Sequence, residues 1–418
     1  MAWLRLALLT ISLALMVPAA DAENWPRFRG PNGDGVSASK DVPVQWNLRD
    51  SLVWKAALPG IGHSSPVIWG DRLFLQSASA TERMLLCFRV SDGKELWTHK
   101  EPGTKAHINE YNSWASSTPA TDGKRVYALF WNGDSIALDA FDFDGKPLWQ
   151  RDLGGFKSQH GVGMSPIVFE NRVIVVNDQD VSAAILAFDA RDGKPLWETP
   201  RGHYRACYST PFILERPTLA PELIVGSTMG LAGYDPRTGK ELWKWDWKFE
   251  GMPLRTVASP IYSQGFVLLN SGDGSGLRST IAVQLEGAGK ATKAKLAWQN
   301  KNKKYFPYVP CLLIHGEHVY SVSDDGFARC HELKTGKEIW EERLYCKVTA
   351  SPILIAGKIY MISDEGEVYV FEAAPTYKLL GRSPIAEPVS ATPAVADNRL
   401  YVRGDKHLFC IGKAVKQE

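Results

Sequence analysis

The sequence predicts an all-β chain: an eight-bladed β-propeller of four-stranded antiparallel blades, closed by the N-terminal strand completing the last blade. Three observations carry this. A Ser/Thr-Pro start recurs along the chain, a turn-plus-tryptophan signature recurs inside the same units, and one tryptophan strand near the N-terminus belongs to neither end of a unit.

The starts are Ser65-Pro66, Thr118-Pro119, Ser165-Pro166, Thr210-Pro211, Ser259-Pro260, Ser351-Pro352 and Thr392-Pro393, with Val309-Pro310 as a degenerate member. Successive prolines are 53, 47, 45, 49, 50, 42 and 41 residues apart. A chain of 418 residues would ordinarily suggest two or three domains. An internal period of this length overrides that prior, because it is the period of propeller blades with four strands each. Eight starts mean eight blades.

Within each unit the pattern reads A-x-D-x-x-D/T-G-K-x-L-W, cleanest from Ala187 through Asp192-Gly193-Lys194 to Trp197. Asp-Gly or Thr-Gly between apolar runs supplies the positive φ of a tight hairpin. The tryptophan then falls on the outer strand, where its flat surface can pack on the neighbouring blade. Trp97, Trp149, Trp197, Trp243, Trp298 and Trp340 are these structural residues, Trp298 lacking the turn.

The last unit runs from Pro393 to Cys410 and ends after three strands, with no tryptophan strand following. Leu52-Val53-Trp54-Lys55 is the missing one, so Trp54 is expected to complete blade 8 and bring the two ends of the ring together.

The first 22 residues read as a secretory signal peptide. Arg5 precedes the apolar run Leu6–Val17, and Ala20-Asp21-Ala22 is a small-residue cleavage site. The run is shorter than the roughly 20 residues of a membrane span. The layout is then 1–22 signal peptide, 23–46 an extended N-terminal arm, 47–412 propeller and 413–418 C-terminal tail. The expected location is periplasmic or secreted, without membrane insertion. Residues are 44% hydrophobic and 22% charged, an ordinary globular balance. The net charge of +2 gives no footprint for nucleic acid, and a monomer is expected.

The tryptophan motif and the Ser-Pro starts resemble the quinoprotein (pyrroloquinoline-quinone-type) repeat over about residues 47–412. That repeat occurs in the propellers of quinoprotein alcohol dehydrogenases and in the bacterial outer-membrane assembly factor B, a periplasmic scaffold. The stretch Asn24 to Gly35 (NWPRFRGPNGDG) is similar to the leader of exported members of the family from environmental bacteria. The resemblance implies the fold, and leaves both enzymes and scaffolds open. The dehydrogenases carry adjacent cysteines over the quinone and a calcium-binding set of carboxylate and amide; no Cys-Cys occurs here. Neither pyrroloquinoline quinone nor calcium is therefore expected. The lipid-anchored cysteine of assembly factor B relatives has no counterpart after the cleavage site.

In a four-stranded blade the D-to-A and B-to-C loops share one face. The D-to-A loops hold the unusual residues here: His63, His107, Asn112, Trp114, His160, His203, Tyr204 and Arg205, followed by Arg255, Tyr308 and Lys347. They are expected to converge at the channel mouth as a polar and aromatic funnel suited to a sugar, a small anion or a peptide. His63, His160 and His203 have no fixed ligand spacing, so no metal is assigned to them. Singly, each histidine reads as a hydrogen-bonding partner of the next blade, and Trp114 and Tyr308 as packing.

Lesser features read blandly. Asn177–Asp180 is expected to be a solvated turn rather than a calcium loop, Ser271–Gly276 a plain glycine-rich loop, and Lys301–Lys304 a solvated run. Trp245 and Trp247 are read as an exposed apolar patch. Cys87, Cys330 and Cys410 occupy strand positions where a small buried residue belongs, and one pair among Cys207, Cys311 and Cys346 could be bridged. No nucleophile, base and acid stand together, so the expectation is a non-catalytic binding scaffold for protein or carbohydrate. The alternative is a quinoprotein-type dehydrogenase or another enzyme using the funnel.

Overall fold

The computed structural model describes residues 23–202, 205–249 and 251–413. The signal-peptide reading, His203, Tyr204 and most of the tail lie outside the described residues.

Eight sheets stand in a ring, each counted A to D from the channel outward. Blade 1 is Val67–Trp69, Arg72–Ala78, Glu82–Arg89 and Glu95–Pro102. Blade 8 is Ala394–Ala396, Arg399–Arg403 and His407–Ile411, completed by Leu52–Ala57. Leu52–Ala57 pairs antiparallel with His407–Ile411, Trp54 opposite Cys410 and Ala57 opposite His407. The propeller and its closure are as the repeats predict.

One start is misaligned in the sequence reading. Strand A of blade 6 is Leu313–His315. The residue in the serine position is therefore Cys311, and Leu312 replaces the proline. Val309-Pro310 belongs to the loop before it.

The tryptophans knit the blades through the hairpin glycines. The Trp149 indole donates to Ala190 O of blade 3 at 3.2 Å. A Cβ on Gly193, φ +68°, would stand 2.6 Å from that ring. Trp54 over Gly93, Trp97 over Gly145, Trp197 over Gly239 and Trp298 over Gly336 repeat the contact. The glycine thus serves both the turn and the blade interface. Opposite each tryptophan across the C–D ladder stands a small residue, namely Cys410, Cys87, Ala140, Ala187, Gly233, Ala282 and Cys330. That explains the three strand cysteines.

Blade 4 departs from this pattern. The Trp243 indole turns back to Glu222 Oε2 of its own blade at 2.6 Å, with Gly233 making the room. Blade 7 has Gly381 where a tryptophan would stand. Trp46 from the arm lies there, with its backbone N–H on Ser383 Oγ and its indole on Pro384 O.

Residues 23–46 run beneath the ring on the A–B turn face. Trp25 exchanges two backbone hydrogen bonds with Ile68 of blade 1, and Thr121 of blade 2 donates to Pro26 O. Arg27 Nη1 donates to Pro211 O of blade 4 at 3.0 Å. Arg29 donates to Leu312 O of blade 6 at 2.8 Å and to Pro352 O of blade 7 at 3.0 Å. Val36–Ser37 then adds a parallel fifth strand to blade 7, and the amides of Lys40 and Asp41 end on Asn398 Oδ1 of blade 8. Trp25 and Arg29 are fully buried. Arg29 itself adopts φ +63°, amid the left-handed glycines Gly30, Gly33 and Gly35, which let the strap coil tightly under the channel. The NWPRFRGPNGDG motif is a stopper.

Candidate functional site

With one end stoppered, the channel is a cup open on the D-to-A loop face, with a cavity of about 140 Å³. Phe28 of the stopper forms its floor. Its wall is the ring of residues that begin the A strands, among them Ser65, Thr118, Ser165, Thr210, Ser351 and Thr392, with Cys311 in register. Five of the start hydroxyls bind blade to blade, while Ser65 Oγ is buried without a hydrogen-bond partner. Ser65 N–H donates to Thr118 Oγ1, Thr118 N–H to Ser165 Oγ, Thr210 N–H to Ser259 Oγ, Cys311 N–H to Ser351 Oγ and Ser351 N–H to Thr392 Oγ1, each at 3.0 Å. At blade 6 the Cys311 sulfur accepts from Ser259 N–H at 3.2 Å. Among the described residues none of these belt groups hydrogen-bonds a histidine.

The mouth unites four of the expected residues: His63, Asn112, His160 and Tyr308 all line the cup. Asn112 Nδ2 donates to His160 O at 2.6 Å and Val162 O at 3.2 Å, tying the second D-to-A loop to the third. Burial, reinforced by the Arg403 charge, lowers His63 to about 4. Burial with Arg255 and Arg205 lowers His160 to about 4. Both imidazoles are neutral at neutral pH.

The remaining candidates are placed elsewhere. Trp114 packs outside the cup, with its indole on Ala106 O at 2.8 Å and Arg83 over its ring. His107 and Lys347 are exposed on loops outside the lining. Arg255 is buried behind the wall, reaching Gln159 Oε1 at 3.0 Å and Asp180 at 3.6 Å, while Arg205 donates to Pro253 O at 3.0 Å.

Four further readings are corrected. Asn177–Asp180 is not a solvated turn. Asn177, Asp178 and Gln179 are buried, and Asp180 accepts from Ala206 N–H at 2.7 Å, clamping the loop into blade 4. Asp324 and Asp364 do the same for Tyr308 and Thr349. Trp247 is buried, its ring stacked on Phe249, so Trp245 and Trp247 form no exposed patch. All six cysteines are free, because Cys311 sits in the belt and Cys207 faces Thr228. Val309-Pro310 yields its place to Cys311-Leu312, as above.

Sequence reasoning missed the belt as a lining, along with Phe28 and Tyr208, while Asn109 and Tyr111 of the expected loop His107–Trp114 do line the cup. The signal for the belt was present, since the Ser/Thr of every start necessarily faces the channel. For the floor there was none, because nothing in the motif says that the strap turns under the ring.

The family model described as outer membrane protein assembly factor BamB matches residues 38–142, 135–283 and 324–413. The chain is 22% identical over 355 residues to the outer membrane protein assembly factor BamB of Shewanella oneidensis, covering 78% of this chain and 85% of that one. In fold it is similar to BamB of Moraxella catarrhalis (TM-score 0.62, 16% identity, 88% of this chain and 98% of that). It is also similar to the quinohemoprotein alcohol dehydrogenase of Comamonas testosteroni (TM-score 0.68, 15% identity, 96% and 82%).

Proposed function

The chain belongs to the family of the outer membrane protein assembly factor BamB, and from that premise we propose that it is a non-catalytic scaffold outside the cytoplasm. It grips a segment of a partner protein at the mouth of the cup. The observation that carries this reading is the belt. The hydroxyls of Thr118, Ser165, Ser259, Ser351 and Thr392 are held as acceptors between blades, and the two histidines of the mouth are neutral and unpaired with them. What faces the opening is a rigid surface of hydroxyl, amide, imidazole and phenol groups. It can recognise an extended peptide through hydrogen bonds and aromatic contact. No helix among the described residues is long and apolar enough to cross a membrane.

No resident redox cofactor is part of this reading. Among the described lining residues none is Asp or Glu, so the cup presents no carboxylate to a calcium ion, and the chain has no adjacent cysteines to cover a quinone. The test is a melting measurement with added pyrroloquinoline quinone and calcium. A ligand at a hundred times its dissociation constant stabilises by about 2.7 kcal/mol, which shifts a domain of this size by about a degree or more. No shift and no alcohol-dependent dye reduction is expected. A shift coupled to turnover would replace the scaffold with a dehydrogenase.

A further inference from the structure

The repeat carries an unusual polar cluster where blade 1 meets blade 2. Residues two and four after a repeat tryptophan share its face of the strand and look toward the next blade. After Trp97 these are His99 and Glu101, and no other repeat tryptophan is followed by a histidine and an acid in those positions. Across the interface, on strand Ser135–Asp142 of blade 2, stands Asp139. The matching position is apolar in blades 1, 3, 4 and 5, where Leu86, Leu186, Ala232 and Ile281 precede the small residue opposite the tryptophan.

Asp139 is only 3% exposed. Its Oδ2 accepts from Gln150 Nε2 at 3.0 Å, and its Oδ1 is buried with no hydrogen-bond partner. His99 Nε2 lies 2.6 Å from Glu101 Oε1, and one ligand atom from each of the three residues falls within 4.8 Å of the others. The His99 ring is fixed against Phe141, centroids 4.5 Å apart. Among the described residues neither carboxylate is paired with a lysine or arginine. A buried carboxylate oxygen without a partner is costly, and a second carboxylate beside it adds repulsion.

We propose that His99, Glu101 and Asp139 bind a divalent transition-metal ion, Zn²⁺ by the chemistry of the donors, which clamps blade 1 to blade 2. Imidazole excludes a preference for Ca²⁺ or Mg²⁺, which take oxygen ligands. Tetrahedral Zn²⁺ needs N and O donors about 3.3 Å from one another. The Glu101 side chain, 30% exposed, is free to swing and close that gap. The Gln150 amide already orients Asp139, as an outer-shell partner does at metal sites. Water completes the fourth position.

The test uses tag-free mature protein, stripped with chelator and titrated with ZnCl₂ by calorimetry, with metal content measured after dialysis. One equivalent is expected to bind and to raise the melting temperature, with saturation at that equivalent. Asp139→Asn and Glu101→Gln should each weaken binding by about tenfold or more. Absence of stoichiometric binding to the wild type would overturn the site. So would wild-type affinity in either variant. If Asp139→Asn fails to fold, Glu101→Gln at the half-exposed position decides alone.

Discussion

Trp54 pairs with Cys410, so a residue at the start of the ring and one at its end lie opposite each other in blade 8. The same indole donates to Val90 O of blade 1 at 2.9 Å and covers Gly93. One side chain thus holds the last blade's outer strand and the first blade's hairpin together.

Deletion of residues 47–57 should therefore uncover strand C of blade 8 and destabilise the whole ring rather than one blade. Trp54→Ala should cost about 3–5 kcal/mol, the usual range for removing a large buried aromatic side chain. Urea denaturation measures both. A truncated protein that melts like the full chain would remove the closure.

Gly193→Ala and Gly70→Ala separate strain from collision. Both glycines have positive φ, +68° and +54°, but a Cβ on Gly70 meets nothing within 4 Å while one on Gly193 meets the Trp149 ring. The expected losses are about 1 kcal/mol at Gly70 and about 3 kcal/mol at Gly193. Equal losses would mean that the interface contact carries no weight.

Arg29→Ala tests the stopper. The guanidinium is fully buried and donates to Asp34 O, Leu312 O and Pro352 O, and burial holds its pKa below the usual arginine value. Its loss strands three carbonyls, at about 2–4 kcal/mol. Residues 23–40 should become cleavable by limited proteolysis. A loss under about 0.5 kcal/mol, with an unchanged digest, would show that the strap is held by Trp25 instead.

His331 sets an acid limb. It is fully buried, stacked on Phe306, and burial with the Arg329 charge lowers it to about 4. Its folded pKa lies below the unfolded value near 6.5, so the unfolded chain binds more protons between those values and stability falls as pH drops from 6.5 to 4. His331→Gln should flatten that limb by on the order of 2 kcal/mol relative to wild type. An unchanged slope would mean that the imidazole is charged in the folded protein.

What the sequence made legible follows from periodicity. Trp197 and Gly193 each act within about one blade of their partners, so their spacing exposes their roles. The funnel was half legible for the same reason. His63 closely precedes its A strand and lines the cup, whereas His107 sits far out on the longest of these loops; His160 and Lys347 stand at similar distances from their strands, and only His160 lines the cup, so loop position alone did not separate them. Arg29 and Trp46 were not legible, because they come from outside the repeat and their contacts lie hundreds of residues away. Cys311 was hidden by a nearby proline that mimicked the repeat two residues early.

The scaffold reading is tested most directly by placing a photo-crosslinking residue on each face of the ring in the native host. Tyr111 stands at the mouth of the cup and is 44% exposed; Lys124 is exposed on the opposite, A–B turn face. The expected result is a discrete adduct with an exported protein from Tyr111, weakened by Asn112→Ala and Tyr308→Ala, and no matching adduct from Lys124. No adduct from Tyr111, or the same adduct from both positions, would contradict partner binding at the cup.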